Sequence, residues 1–461
     1  MDDKPQPLNL PNYFLADLPP GAELTAGLIT EACQTLKHNR ERYLQGRSTE
    51  SIVKLLDALA VDWLSPDFPF RGKVMEAGPE ITGFSTPVLF AGLDHFFKTL
   101  TADNLESLLR QDLGHPGRLD RFFSDERGLE GKRSALAQGP QLMAHIAPGN
   151  LPVPALMQMV LGLLVRSAQL VKCASGASFV PRMFAHSIYD ADRKLGACIE
   201  VAEWKGGLEA LDMALFAESD CVVATGSDDT LLAISKNIPR AARFLGYGTR
   251  VSFGYVARDA VGRDVKSVVK RAAADVVAWN QCGCLSPHVF YVEEGEAVNG
   301  ETFADMLAAE LQSLEETHPR GPLTAAESAG IARRRSFYEV RAAHSPDTKM
   351  WASKESTAWT VILEADPKFQ ISCLNRFIYV KAVTSVEQAL HGADSQREKI
   401  STVGLAAGDS SEVAAELALK FAQLGAKRIC PLGEMQRPPL GWRHDGRPAL
   451  GDLVTWCDWE K

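Results

Sequence analysis

From about Met143 onward the chain alternates short apolar runs with longer stretches whose apolar residues recur three and four positions apart. That alternation restricts the fold more than any other feature. Strands buried on both faces read as continuous apolar runs, and parallel neighbours need a crossover that a helix supplies, so the pattern predicts an α/β architecture. The predicted strands Met143–Ala147, Gln169–Cys173, Ala197–Val201, Cys221–Ala224 and Val251–Val256 read as a doubly wound nucleotide-binding region. A second α/β region follows. It has a helix over Asp264–Trp279, a strand over Val289–Val292, helices to about Ala343, and strands at Thr360–Leu363 and Phe377–Val380. The helix Glu412–Leu424 and strand Arg428–Cys430 then lead into a Pro/Gly/Trp-rich tail. Upstream, Thr25–Leu44, Thr49–Trp63 and Val88–Leu100 carry helical spacing, and the pattern changes after the polar segment Ser124–Ser134.

A chain of 461 residues exceeds what one hydrophobic core supports, so two or three packed units are expected. Its net charge of -9 comes from interspersed acids and bases, which argues against a nucleic-acid surface. The nine cysteines form no CxxC pair and read as thiols of a reducing, cytoplasmic compartment. The acidic, proline-rich start MDDKPQPLNLPNYF has no signal-peptide character and reads as a loose arm. The longest apolar stretch, Leu151–Val165, falls short of the ~20 residues that cross a bilayer and reads as a buried helix, so no membrane span is expected.

Three segments carry candidate chemistry. In WNQCGCLSPHVFYV, Trp279–Val292, a helix gives way to two cysteines and then to a strand. A thiol at such a junction is either held on a fixed turn facing a cleft or packed as a small core group. Cys282, Cys284 and His288 also offer three metal ligands, but their spacing suits zinc poorly and no second cluster supplies a fourth, so no metal is expected. In the segment His145–Ser178, Asn150 stands where a strand meets a helix start, able to cap that helix or to offer its amide to an oxyanion. In DCVVATGSDDTLLAI, Thr225-Gly226-Ser227 precede a helix whose N–H groups suit phosphate. Ser227 serves equally as a plain cap, and Asp228 and Asp229 would repel a pyrophosphate. Gly246-x-Gly248 lacks the third glycine of a Rossmann fingerprint, and no P-loop is present.

Taken in order, Gly149-Asn150, Lys172, Thr225-Gly226-Ser227 and Gln281-Cys282-Gly283-Cys284 resemble the landmarks of the aldehyde dehydrogenase superfamily. Trp204-Lys205-Gly206-Gly207, Cys284-Leu-Ser-Pro-His288, the tail Trp442-Arg-His-Asp445-Gly446-Arg447 and Leu453-Val454-Thr-Trp456 narrow it. Over residues 75 to 461 the chain most resembles the acyl-CoA reductases of the bacterial luminescence fatty-acid reductase (LuxC-like) family. The resemblance implies an aldehyde dehydrogenase-like α/β fold with a Rossmann-like cofactor domain, an α/β catalytic domain and a helical N-terminal region. The expected division is 1–130, helical and packed on the cofactor domain; 131–262, cofactor-binding; 263–430, catalytic; and 431–461, an oligomerisation or docking tail.

Carried over by residue, the resemblance makes Cys284 the nucleophile and Asn150 an oxyanion donor. It makes Lys172 and Ser175 contacts to the adenosine ribose, and it places Thr225, Gly226, Ser227 and Gly248 along the cofactor cleft. The implied activity is reduction of an acyl thioester, on CoA or an acyl carrier protein, to an aldehyde, by a homo-oligomer. The alternatives are an aldehyde dehydrogenase forming free acid and a non-catalytic acyl-binding partner protein. Aldehyde-oxidising members carry a water-activating glutamate where this chain has Gly246, which favours reduction over hydrolysis. NAD-preferring members often have a glutamate where this chain has Ser175; Ser175 with Lys172 and Arg182 would accept a 2′-phosphate, so NADPH is expected, with NADH as the alternative. The Glu-Ile-Phe-Gly-Pro motif expected near Phe369–Leu374 is missing.

Overall fold

The computed structural model describes residues 10–19, 21–124, 133–296, 298–408 and 410–460. Most of the N-terminal arm and of the boundary segment Ser124–Ser134 lies outside them. The chain groups into two units, one of residues 1–82, 93–248 and 439–461, the other of residues 83–92 and 249–438.

The first unit begins with helices started by local caps: Thr25, Ser48 and Thr101 each accept an N–H three residues ahead. The visible end of the arm is not loose. Tyr13 stacks on Tyr189 at 4.2 Å, and the Asp17 carboxylate lies 2.9 Å from His186 Nε2. Then come β1 (Arg133–Gln138), β2 (Leu142–Ile146), β3 (Ala168–Cys173), β4 (Ile199–Glu203), β5 (Cys221–Thr225) and β6 (Arg243–Tyr247). Among the described residues, β2 to β6 form a parallel five-stranded sheet in the order β4-β3-β2-β5-β6. Every residue of β2 and β3 is buried. Leu142, Ala144, Leu170 and Val222 pack with Ile29, Cys33 and Leu36 of the helix Ala26–Asn39, each large apolar side chain contributing ~1.5–3 kcal/mol. Arg166, buried and left-handed (φ 56), ties the N-terminal helices to this sheet through the Arg47 carbonyl (2.6 Å), Thr49 Oγ1 (2.9 Å) and Asp120.

The second unit holds β7 (Val251–Val256), β8 (Pro287–Glu293), β9 (Thr348–Ala352), β10 (Thr360–Glu364), β11 (Phe377–Val383), β12 (Ile400–Ala406) and β13 (Arg428–Pro431). They form a seven-stranded sheet in the order β13-β12-β7-β8-β11-β10-β9, antiparallel only at β9. This corrects one expectation. Val251–Val256, assigned from the sequence to the first region, pairs with β8 and β12 in the second. The helix expected over Asp264–Trp279 runs from Arg258 to Val277, breaks at Asp264 (φ -148, ψ 72) and stops before a left-handed turn. The tail returns to the first unit as β14 (Thr455–Glu460), antiparallel to β1. Among the described residues, no helix is long and apolar enough to cross a membrane.

Candidate active site

The segment leading to Cys284 is built on two left-handed runs. Trp279, Asn280 and Gln281 have φ of 51, 50 and 65; Leu374, Asn375 and Arg376, just before β11, have φ of 64, 55 and 64. Non-glycine residues in this region cost of order 1 kcal/mol or more apiece, so surrounding bonds must hold them. Arg376, fully buried, donates to Asn280 Oδ1 from Nε (3.2 Å) and Nη2 (2.8 Å) and pairs with Glu315 at 2.8 Å. Burial lowers its guanidinium to about 10, which still leaves it charged at neutral pH. Gln281, also fully buried, donates through Nε2 to the carbonyls of Pro287 (2.7 Å) and Phe377 (3.0 Å), the first residues of β8 and β11. The two runs are thereby clasped to each other and to adjacent strands.

From this base the chain makes a β-turn over Gly283–Ser286, closed by Ser286 N donating to the Gly283 carbonyl at 3.0 Å, with Cys284 at the first corner. The Cys284 carbonyl accepts from Ser252 Oγ at 2.8 Å, and Gln436 Nε2 donates to Ser286 Oγ. A Cβ on Gly283 would lie 2.4 Å from Gln436 Nε2, so glycine is what admits this brace. The loop carrying Gln436 is pinned in turn. Asp275, 1% exposed, accepts from Gly433 N (2.6 Å) and Met435 N (2.9 Å); burial pushes its carboxyl up to about 7 despite those donors.

The consequence is selective. Between Trp279 and Val292, Cys284 is the one exposed residue. Cys282 is half-buried against the Asn280 carbonyl (3.5 Å) and Asn375 Oδ1 (3.8 Å), and burial pushes its thiol up to about 11. A thiol so disfavoured as thiolate is a poor nucleophile. His288 is buried, accepts the Ser372 N–H on Nδ1 at 3.1 Å and is held near 4 by burial, a neutral core histidine.

In the first unit the candidate cofactor residues collect at the C-terminal ends of the parallel strands. The strand order reverses between β2 and β5, and ligands of open α/β sheets bind at that switch point. Gly149 and Asn150 follow β2, and Thr225, Gly226 and Ser227 end or follow β5. Asn150 is exposed, and the helix Val153–Leu164 starts from Pro152, which supplies no side-chain cap. Ser227 does cap, accepting Thr230 N at 3.2 Å, so its plainer reading is realised. Gly226 N donates to the Tyr247 carbonyl at 3.1 Å. A Cβ on Gly248 would lie 2.4 Å from Asp228 Oδ1, which explains glycine there by close approach.

Lys172, near the end of β3, is 5% exposed with its ammonium 5.7 Å from the Trp204 ring centre, and burial lowers its pKa. Ser175 is exposed on the turn Ala174–Ala177, where Gly176 adopts φ 79. Arg182 Nη1 donates to the Ala16 carbonyl at 2.7 Å, and its Nε lies 3.6 Å from the Asp17 carboxylate of the docked N-terminal segment. Sequence reasoning also missed Glu203, which closes β4 and accepts from Gly176 N (2.7 Å) and Ser178 N (3.3 Å) on the Ser175 turn. A switch point between β2 and β5 with exposed turns after β2 and β3 is where an open α/β sheet takes a dinucleotide.

The chain matches the family model described as acyl-CoA reductase (LuxC) over residues 44–456. It belongs to the acyl-CoA reductase (LuxC) family. Among relatives of this LuxC-family chain, long-chain acyl-protein thioester reductase 2 of Photobacterium leiognathi is 24% identical over 441 residues, covering 94% of this chain and 85% of that protein. The long-chain acyl-protein thioester reductase of Aliivibrio fischeri is 21% identical over 420 residues, covering 89% and 82%. Solved structures share the fold. The putative aldehyde dehydrogenase PutA of Anabaena variabilis superposes with a TM-score of 0.71 at 16% identity, covering 95% of this chain and 93% of that one. The NADP-dependent glyceraldehyde-3-phosphate dehydrogenase of Bacillus halodurans gives 0.69 at 15%, covering 94% and 91%. The NAD-dependent benzaldehyde dehydrogenase of Corynebacterium glutamicum gives 0.69 at 15%, covering 95% and 91%. The aldehyde dehydrogenase-like architecture expected from the sequence is therefore the one found.

Proposed function

We propose that this protein takes the acyl group of a thioester onto Cys284 and releases it as an aldehyde after reduction by a nicotinamide cofactor. The observation that carries the reading is the presentation of Cys284, an exposed thiol on a braced turn whose neighbours are buried. Its sulfur bonds to the acyl carbon, the bond from that carbon to the carrier's sulfur breaks, and the carrier leaves with the electron pair and gains a proton. Asn150, exposed on the loop after β2, is the proposed side-chain donor to the oxyanion. When bound, the nicotinamide supplies the hydride that reduces the acyl carbon. The thiohemiacetal on Cys284 then loses its carbon–sulfur bond, freeing the aldehyde and restoring the thiolate.

Gly246 supports reduction over hydrolysis, because no carboxylate there can activate water against the acyl-enzyme. The relatives named as acting on long-chain acyl-protein thioesters support a fatty acyl group carried by CoA or by a protein thiol. Lys172, Ser175, Thr225, Gly226, Ser227 and Gly248 are the proposed cofactor residues, with NADPH as donor because Ser175 brings no carboxylate of its own to the ribose. Glu203 favours a second reading, NADH, since its carboxylate stands on the same turn. A cytoplasmic homo-oligomer completes the proposal; the absence of a disulfide among the described cysteines supports the compartment.

The test is product analysis. With acyl-CoA and NADPH the protein should consume cofactor and form aldehyde; with aldehyde, NADP and no CoA it should form no acid. Acid as the main product would replace this reading with an oxidative aldehyde dehydrogenase. The ratio of kcat/KM for NADPH and NADH decides the donor, and Glu203→Gln should raise it.

A further inference from the structure

β4 is an edge strand of the sheet in the first unit, and its start, at the end of the sheet opposite the turns proposed for the cofactor, borders a cavity of about 410 Å³. The docked N-terminal segment and the helices Ala26–Asn39 and Phe179–Ala191 supply other walls, and every lining residue belongs to this one unit. The reaction described above makes no use of it. Its volume lies in the range of small-molecule sites. Leu28, Leu36 and Ile199 give it an apolar wall, and Tyr13, stacked on Tyr189 at 4.2 Å, stands with its partner on the same cavity. Asn39 Nδ2 donates to the Ala197 carbonyl at 2.8 Å, tying the first helix to the turn before β4.

The charge on these walls has one sign. Glu31 and Glu200 line the cavity, and among the described residues no lysine, arginine or histidine does. Cations on the bordering helices are spent elsewhere: His186 and Arg182 face Asp17 at 2.9 and 3.6 Å, and Lys37 pairs with Glu218 at 2.8 Å. Glu200, half-buried, uses only one of its two oxygens. Oε1 accepts Leu15 N (2.7 Å) and Val201 N (3.0 Å), whereas Oε2 has no hydrogen-bond partner among the described residues. Burial, with the Asp17 carboxylate adding to it, pushes the Glu200 carboxyl up to about 8, the behaviour of an acid with no counter-charge. A cation bound beside Oε2 supplies that charge, and aromatic rings on the same cavity favour one.

We propose that this cavity binds a protonated primary amine with a short apolar body, its ammonium held by Glu200 Oε2 and its hydrocarbon laid along Leu28, Leu36 and Ile199. Because Oε1 of the same carboxylate holds the Leu15 N–H, the bound amine also steadies the N-terminal segment. Binding needs neither thioester nor nicotinamide.

The test is isothermal titration calorimetry of the full chain at about pH 8, where an alkylamine stays protonated, with hexylamine, hexanol and hexanoate as probes. Hexylamine should bind at least about tenfold more tightly than hexanol, the strength of one charge-assisted bond, and hexanoate should not bind. Glu200→Gln keeps an oxygen for the Leu15 and Val201 N–H groups and should weaken hexylamine about tenfold. Ala32→Phe, which fills the cavity from the helix side, should abolish hexylamine binding. Melting temperatures check that both variants fold; if Glu200→Gln does not, Ala32→Phe and hydrogen exchange decide. The amide of Leu15 should exchange more slowly in wild type saturated with hexylamine. Equal affinities for hexylamine and hexanol, hexylamine binding that survives Ala32→Phe or is unchanged in folded Glu200→Gln, unaltered exchange at Leu15, or no binding at about 10 mM amine each overturn the proposal.

Discussion

Replacing Arg376 with methionine removes the clasp between the two left-handed runs while filling the space of the arginine stem. The two bonds to Asn280 are charge-assisted, and losing them strands an amide oxygen on a residue only 3% exposed, at ~1–3 kcal/mol. Glu315, 23% exposed, turns to water and adds little. With the two left-handed runs held in place by the bonds that remain, the expected loss is the upper end of that range, ~3 kcal/mol. In a unit of about 200 residues, each kcal/mol moves the melting temperature ~2–4 °C, so a fall of roughly 6–12 °C is expected. Differential scanning calorimetry measures this, and peptide mapping after brief iodoacetamide treatment measures the local effect. Cys282, packed between Asn280 and Asn375, should become alkylated alongside Cys284. A melting temperature within ~2 °C of wild type, with Cys282 still protected, refutes the clasp.

Asn150→Ala should lower kcat ~100 to 1000-fold, and a small kinetic effect rules it out as an oxyanion donor. Gly283→Ala should destabilise by ~1–3 kcal/mol and slow Cys284 alkylation, and Gln436→Ala in the same chain should recover part of both; a purely additive double variant contradicts the brace. Asp275 is raised from 3.8 unfolded to about 7 folded, so the folded state keeps a proton that the unfolded chain has lost. Its stabilising share is therefore complete below about pH 4 and fades as pH rises through about 7. Asp275→Asn should flatten the decline of melting temperature across that window, and an unchanged slope assigns the decline elsewhere.

The turn before β8 was legible because helix, cysteine pair, Pro287 and a β-branched strand follow one another locally. The five-stranded parallel sheet of the first unit was legible for the same reason, most of its buried strands reading as short apolar runs between helical stretches. What set the sequence reading astray was pairing. Val251–Val256 announces a strand but not its sheet, since its neighbours β8 and β12 are chosen by chain far downstream. β6 went unseen because Arg243–Tyr247 lies at a sheet edge, mostly half-buried and interrupted by Gly246, so its apolar signal is weak. Arg376 and Asn280 stand 96 residues apart, and Gln436 and Ser286 stand 150 apart. Contacts at such separations leave no periodicity, which is why the supports beneath Cys284 emerged only in three dimensions.

The most direct measurement is intact-mass and peptide analysis of the protein after exposure to an acyl-CoA without reductant, in wild type, Cys284→Ala and Cys282→Ala. Wild type and Cys282→Ala should each gain one acyl group, mapped to residue 284 and discharged as aldehyde when reduced cofactor is added. An adduct that persists in Cys284→Ala, or that maps to another side chain, contradicts the account.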